Sequence, residues 1–546
     1  MNEYIVVANS ETDIDSLHVD LTLDTTGRNG VNHRTIPDRP VGVANPRLGN
    51  PRITHYYLTD QEAADLDKDT RVVAVHRPPN PDSRMHHAVQ RNRAYDGTNG
   101  NFNRNSADDK YNVNWGLRRS SLLKAEAATG NSYEYDNDGA GVDIIIMDDG
   151  IDWEHPEFLD STGASRVRRI DWYAATGIPG TMPPNHYVCR TTGGDSQGQH
   201  GTHVASTAAG KTFGAAKNAR LYSIRVFGDT SQAIDSDDQF DLIRVWHKKK
   251  PIDPKTGARR PTVVNMSWGY AWYYNDNKNY NIINSIKYRG TLNTYNTPVE
   301  PQQRYGMQPG YNGIHGLEIP SVDAEVTDAE KEGVIFVHSS GNYGNKIDVA
   351  RGKDYDNYYT TNNYYAGVFP PGSPIYYHRG GSPRSTNVIT VSAASQSPIY
   401  RGNLLLEVLG TYSERGPGCD VVAPGTMITA ATSRAASNSD PAQSGFRPLN
   451  PYMFGRPPST DPAQNHYVCK ISGTSMAAPQ VTGVLALYLS KNPKTTPANC
   501  KKWIQNFGIK NQISTSAKDD DWYNSTALLG GPNNYLYNPY RGGYKG

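Results

Sequence analysis

"KISGTSMAAPQVTGVLALYLS", residues 470–490, sets a serine between Gly-Thr and a run of small apolar residues, after which a helical pattern begins. Val481, Val484, Leu485 and Tyr488 fall at the i, i+3, i+4, i+7 spacing of an amphipathic helix. Ser475 therefore stands at the start of a helix that otherwise buries itself. One account is structural, since a serine hydroxyl caps free backbone N–H groups. The other is chemical: helix-start N–H groups and the helix dipole stabilise developing negative charge, which suits a nucleophile. Serine alone is a weak nucleophile, so the chemical account requires a base, and the base an orienting acid.

The rest of the chain bounds the answer. Its 546 residues are enough for a large core and more than one domain. Lys+Arg number 55 against 54 Asp+Glu, a balance that gives no reason to expect nucleic acid or a membrane surface as partner. No window approaches the ~18 consecutive apolar residues of a membrane span. The start, "MNEYIVVANSETD", lacks the basic and apolar stretches of a secretory signal, so synthesis in the cytoplasm is expected. Four cysteines without a C-x-x-C pair suggest neither a zinc site nor a disulfide scaffold.

Two parts follow from the pattern. "EYIVVANSE" reads as a strand and "ITHYYLTDQEAADLDKDTRVVAVHRP" as strand, helix, strand, which makes a small α+β module of residues 1–78. Residues 79–111, rich in Pro, Asn, Arg and Gly, read as a linker open to cleavage. Within 112–546 the short apolar runs 142–148, 219–227, 262–268, 334–340 and 387–393 resemble buried parallel strands. Helical segments lie between several of them, which predicts an α/β fold: a doubly wound, mostly parallel sheet with helices on both faces. Tyr/Asn/Pro/Gly-rich stretches at 270–316, 351–385 and 429–466 read as surface insertions.

The required partners are present. "VDIIIMDDGIDWEHPEF" ends a buried strand in Asp148-Asp149-Gly150, where a carboxylate can face a cleft. "GGDSQGQHGTHVASTAAG" places His200 at the start of a small-residue helix. "GVIFVHSSGNYGN" ends a strand in Gly341-Asn342, whose amide can donate into the same cleft. Taken singly, these are a turn, a polar loop residue and a strand end. Together they supply acid, base, amide donor and nucleophile in the chain order Asp…His…Ser found in subtilisin.

The sequence resembles the subtilisin-like serine proteases, the subtilase (S8) family. Its Asp motif stands here as Asp148-Asp149-Gly150, its His motif as "HGTHVAS" from His200, and its Ser motif as "GTSMAAP" around Ser475. The Gly-Asn pair is Gly341-Asn342, the substrate-strand motif is Ser267-Trp268-Gly269, and "GCDVVAPG" (418–425) matches the segment that precedes the serine motif. The resemblance runs from about Trp115 to about Leu489, with the insertions unmatched. It implies a serine endopeptidase in which Ser475 attacks, His200 shuttles the proton, Asp148 orients His200, and Asn342 with the Ser475 N–H holds the oxyanion. Substrate adds as a strand at Ser267, Trp268 and Gly269, facing Ser340 and Gly341, with Trp268 walling an apolar subsite. His203 and His155 take structural roles, and Asp149 takes none in the chemistry.

Residues 1–78 resemble the family's propeptide, an intramolecular chaperone and inhibitor, with "RVVAV" aimed at the cleft and the following segment lying where a cleaved peptide lies. The partners implied are polypeptide substrates and this module. The triad chemistry requires no cofactor. Calcium stabilises many relatives, yet acidic runs such as "DSDD" (235–238) read as solvated, and no metal ligand is assigned. The Tyr/Asn-rich composition and the tail "GGPNNYLYNPY" resemble a virus-encoded subset, which brings virion association as an expectation. The competing reading is a catalytically silent or self-inhibited structural protein that keeps the fold. An α/β-hydrolase is excluded, because Ala477 replaces the last glycine of Gly-x-Ser-x-Gly and the histidine precedes the serine. Finally, "NHYVC" occurs at 185–189 and at 465–469, ahead of His200 and of Ser475; the two copies are expected to pair as strands and to permit a Cys189–Cys469 disulfide.

Overall fold

Five apolar runs of the sequence become neighbours in one sheet. The computed structural model describes residues 1–22, 39–79, 83–86, 114–125, 133, 135–189, 198–228, 230–273, 283–294, 305–307, 314–362, 369–433, 447–448, 467–515 and 527–540. Its main sheet has nine strands, in the order Ile509–Lys510, Asn534–Tyr535, Val421–Pro424, Ile389–Ala394, Ile335–Ser339, Thr262–Met266, Asp143–Asp148, Arg220–Arg225 and Val167–Arg168. Every pair is parallel except the edge pair Ile509–Lys510 with Asn534–Tyr535.

The strands read as continuous apolar runs because both faces are covered. Along Asp143–Asp148, Ile144 and Ile146 pack with Val204, Val481 and Leu485, while Ile145 and Met147 face Phe240, Val322 and Val326. That is the period-2 alternation of a strand between two helical layers. The helices Gln199–Ala209 and Thr474–Lys491 lie in one layer, and Gln239–Lys249 and Pro320–Lys331 in the other.

Chain order reverses at the centre of the sheet. Asp143–Asp148 is followed by Arg220–Arg225 on one side and then by Thr262–Met266 on the other. In open parallel sheets, sites form beyond the carboxyl ends of the strands at such a reversal. Asp148, Ser267 and Ser340 all stand there.

The N-terminal residues form a second, antiparallel sheet in the order Val43–Asn45, Ile53–Leu58, Asn2–Ala8, Val72–His76. One face buries Val6, Tyr56 and Leu58 against the helix Glu11–Thr22, which the sequence reading left unassigned. The other face sets Ile5, Val7 and Ile53 on Ala324 of the helix Pro320–Lys331. Thr59 and Glu62 form a reciprocal capping box at the helix Asp60–Leu66, as a Thr followed three residues later by Glu suggests. Of the linker at 79–111, residues 79, 83–86 are described, and the remainder lies outside the described residues.

Two expectations are corrected. The tyrosine-rich stretches are not only surface material: Ile283–Tyr288, Thr291–Thr294, Tyr358–Thr361 and Ile375–Tyr376 form a four-stranded antiparallel sheet, and Ile283, Ile286, Tyr359 and Ile375 are buried in the core. The two copies of "NHYVC" do not pair. The second supplies the strand Tyr467–Ile471, which pairs with Ile428–Thr432 and Arg447–Pro448. The first is a turn, because His186 is held on the carbonyls of Gln232 (3.0 Å) and Ser223 (3.2 Å) and Tyr187 donates to Ile170 O (2.7 Å). Cys189 and Cys469 are both buried, and they form no disulfide with each other. No helix among the described residues is long and apolar enough to cross a membrane.

Candidate active site

Asp148 is the last residue of its strand and is fully buried. Its carboxylate faces His200 Nδ1 at 2.8 Å (Oδ1) and 3.0 Å (Oδ2). A carboxylate in this position accepts, so Nδ1 carries the proton and Nε2 is the basic nitrogen. His200 is the second residue of the helix Gln199–Ala209, whose N-cap, Gly198, has no side chain to offer and adopts φ +72°. Asp149 does the capping from outside: its Oδ2 accepts from His200 N (3.2 Å) and its Oδ1 from Gly201 N (2.7 Å). The sequence reading gave Asp149 no catalytic role, and it touches no reacting atom, but it fixes the helix turn that carries His200. The available signal was a carboxylate able to reach a helix start that lacks its own capping side chain.

Ser475 is the second residue of the helix Thr474–Lys491, whose N-cap Gly473 is again a cap without a side chain. The first N–H groups of such a helix are left available to an anion. Ser475 Oγ donates to Ser267 O, and Ser267 Oγ donates back to Ser475 O, both at 2.9 Å. Asn265 Nδ2 holds the Ser267 hydroxyl (2.8 Å), and Thr482 Oγ1 holds Asn265 in turn (2.9 Å). Asp148 and Ser267 each follow directly on the residues Met147 and Met266, which are paired across neighbouring parallel strands. The two helix starts are thus anchored on adjacent strand ends, one inter-strand spacing of about 4.8 Å apart. Gly483 lets the helices approach, since a Cβ there would stand 2.5 Å from Ala208 O.

Asn342 completes the group. Its Oδ1 accepts from Thr474 N (2.9 Å) and Thr474 Oγ1 (3.0 Å), while its buried Nδ2 has no partner among the described residues. Thr474, which the sequence reading passed over, thereby sets which way the amide points. It also accepts from Gly341 N (3.2 Å). His203 lies beneath, its Nε2 on the carbonyls of Ile428 (3.0 Å) and Cys469 (3.3 Å), and burial pushes its pKa down to about 3. His155 accepts from Glu157 N at the head of a short turn.

Behind Gly341 lies a buried acid that the sequence did not reveal. Gly341 has φ +119°, and a Cβ there would stand 2.6 Å from Glu414 Cδ. Burial pushes the Glu414 carboxyl up to about 8, against the pull of its hydrogen bond from Asn345 Nδ2 (3.2 Å) and of Arg415. A carboxyl that is harder to ionise folded than unfolded keeps a proton the unfolded chain has lost, so its contribution to stability falls as pH rises from the ordinary carboxylate range to about 8. Glu414→Gln keeps an acceptor for Asn345 and removes the ionisation. Its Tm is expected to exceed the parent's by about 3 °C or more at pH 8.5, with the gap closing towards pH 4.5. Differential scanning calorimetry across that range checks this, and a gap independent of pH would rule out ionisation as the cause.

The strand Trp268–Tyr273 runs from Ser267 along the cleft. The chain's own segment Arg84–His86 lies antiparallel on it, with Trp268 opposite His86, Gly269 opposite Met85 and Tyr270 opposite Arg84. Trp268 was expected to wall an apolar subsite; instead the guanidinium of Arg84 lies over its ring, 5.7 Å from the centroid. Among the described residues no group of three or more His, Cys, Asp and Glu is arranged to hold a metal ion. In the acidic run 235–238, Asp237 accepts from Asn45 Nδ2 (3.0 Å) and Asp238 from Tyr173 Oη (2.8 Å).

The model of the subtilase family matches residues 139–526. The chain belongs to the subtilase family. An extracellular serine proteinase of Thermus sp. (strain Rt41A) is 25% identical over 435 residues, 78% of this subtilase and 66% of that protein. Subtilisin-like proteinase Mp1 of Magnaporthiopsis poae is 35% identical over 157 residues, 28% of this chain and 33% of its own. This subtilase therefore spans about two thirds or less of the curated relatives it matches. Among solved structures, fervidolysin from Fervidobacterium pennivorans aligns with a TM-score of 0.45 at 18% identity, covering 98% of this chain and 60% of fervidolysin. A cold-adapted subtilisin-like serine proteinase aligns with a TM-score of 0.43 at 21% identity, covering 78% and 97%.

Proposed function

We propose that the protein is a serine endopeptidase that hydrolyses peptide bonds through Asp148, His200 and Ser475, and that its own N-terminal residues hold it in check. The observation that carries this reading is the seating of Arg84–His86 as an added strand beside Ser475. A polypeptide already occupies the place a substrate would take, bound by the backbone pairing through which extended peptides add to a sheet edge.

The chemistry follows from the bonds at rest. Ser475 Oγ donates to Ser267 O, the carbonyl next along the strand that pairs with Arg84–His86. A substrate N–H that takes this carbonyl releases the hydroxyl to turn towards His200 Nε2. As Oγ attacks the peptide carbon, its proton passes to Nε2, and Asp148 stabilises the imidazolium through Nδ1. The carbonyl oxygen, now an oxyanion, accepts from Asn342 Nδ2 and the Ser475 N–H. Collapse breaks the C–N bond as Nε2 protonates the leaving amine, and water then resolves the acyl-enzyme along the same path in reverse.

The sheet Asn2–His76 is read as the inhibitory propeptide module. A substrate continuing this antiparallel register would set its next residue opposite Ser267, which in the chain's own sequence corresponds to position 87, outside the described residues. The bond after it is the one expected to be cut, and N-terminal sequencing of the active protein is expected to begin at Ala88. The occupied cleft also favours a second reading, a permanently blocked structural protein. A fluorophosphonate probe separates them: Ser475 is labelled and casein is cleaved once the module is removed under the first reading, and neither occurs under the second. A start at Met1 in fully active protein would remove the module from its inhibitory role.

A further inference from the structure

Arg84 does more than pass along the cleft. Its Nε donates to Tyr270 Oη (2.9 Å) and its Nη1 to Val226 O (3.1 Å). Its guanidinium lies over two rings, 5.7 Å from the centroid of Trp268 and 5.5 Å from that of Tyr270. Both aromatic residues are buried, and they brace each other edge to face at 5.8 Å, with Phe227 against the far side of Trp268 at 6.0 Å. The two rings thus brace each other beneath Arg84.

We propose that this is a substrate subsite, selective for an arginine at the fourth residue before the cleaved bond. The inference rests on the endopeptidase reading and names a class of substrate for it. The position follows from the register. Ser267, whose carbonyl holds Ser475 Oγ, faces the residue that carries the attacked carbonyl, and Tyr270, three residues along, faces Arg84.

The chemistry selects arginine over lysine. Two acceptors, a phenol oxygen and a main-chain carbonyl, receive two separate N–H groups of one planar fork, while two rings stand within cation–π range of it. An ammonium group carries its donors on one atom and has no plane to stack. Among the described residues no carboxylate pairs with Arg84, so shape and hydrogen bonding rather than bulk charge make the distinction. The sequence pointed only to an apolar wall at Trp268, because the second ring and the Val226 carbonyl are brought there by the fold.

The test uses the self-processed full chain and internally quenched peptides X-Met-His-His-Ala-Val, the chain's own residues 84–89 with X as Arg, Lys or Ala. With a charge-assisted hydrogen bond and cation–π contact at stake, kcat/KM is expected to be roughly 30-fold higher for Arg than for Ala, and roughly tenfold higher than for Lys. Tyr270→Phe, which removes one acceptor and keeps the ring, is expected to cut the Arg-over-Ala ratio by about tenfold. Equal rates for all three peptides would overturn the subsite while leaving the endopeptidase standing. Lys equal to Arg would overturn its selectivity for the planar fork. Cleavage of none of the peptides, nor of casein, would instead strike the endopeptidase reading beneath it.

Discussion

Ser475→Ala is expected to lower kcat on an unfolded protein such as casein by about 10⁶, the scale measured when subtilisin itself loses its nucleophile. The effect is this large because His200 and Asp148 act only through the serine hydroxyl: with no Oγ, the proton that Nε2 would take no longer exists. What remains over water, about 10³–10⁴, comes from Asn342, the helix-start N–H groups and the binding strand. The substitution should leave the fold intact. It removes one hydrogen bond, Ser475 Oγ to Ser267 O, worth about 1 kcal/mol, and keeps the reverse bond from Ser267 Oγ to Ser475 O. Two measurements check it together: casein hydrolysis falls to background while Tm moves by only a few degrees, and the chain stays at its full 546 residues on a denaturing gel. Casein hydrolysis at the parent's rate would remove Ser475 from the chemistry.

What could be read beforehand divides along a physical line. The placement of Asp148, His200, Ser475 and Asn342 was legible because each role proposed for them demands a residue type at a strand end or a helix start, and both kinds of place announce themselves by apolar periodicity. The sheet was legible for the same reason: runs such as "VDIIIMD" have no polar face and can only lie between two layers. Residues whose meaning arises from contact across the fold were not. Thr474 orients Asn342, Asp149 caps a helix 50 residues away in sequence, and Glu414 lies behind Gly341; none has a local signature. The repeated "NHYVC" shows the same limit from the other side. Of its second copy, Tyr467, Val468 and Cys469 lie in a strand where a partner strand waits, while the first copy is a turn where His186 finds two carbonyls. The helix Glu11–Thr22 went unassigned because Ile14, Leu17 and Leu21 alone carry its buried face among polar neighbours.

The other large effect is expected at the seam between the N-terminal sheet and the rest of the chain. Arg47 is buried there, with Nη2 at 2.7 Å from Glu325 Oε1 and 3.2 Å from Asp241 Oδ2. Its backbone is held at φ +47°, so the loop is shaped to deliver this side chain. Arg52 adds an ion pair to Asp328 (2.8 Å), and Asn50 a hydrogen bond to Asp241 (3.1 Å). Asp241 has a second cation, Arg244, at 3.3 Å, so Glu325 is the acid that depends on Arg47, and burial pushes the Glu325 carboxyl up to about 8 despite Arg47 beside it. The docked state therefore holds a proton that a solvated Glu325 would release, and docking is expected to weaken as pH rises through about 8. Arg47→Met keeps most of the volume but leaves Glu325 buried without its cation while Asp241 keeps Arg244, a change that costs about 3–5 kcal/mol where one partner of a buried pair is removed. The inhibition constant of the module against the processed protein is expected to rise by about 10²–10³. Adding Glu325→Gln to Arg47→Met should recover most of that loss, because Asp241 keeps Arg244 and no acid is then left buried without its partner. Inhibition unchanged in Arg47→Met would place the grip of the module in the apolar contact of Ile5, Val7 and Ile53 with Ala324 instead. Failure of the double variant to recover would show that Arg47 acts through packing rather than through charge.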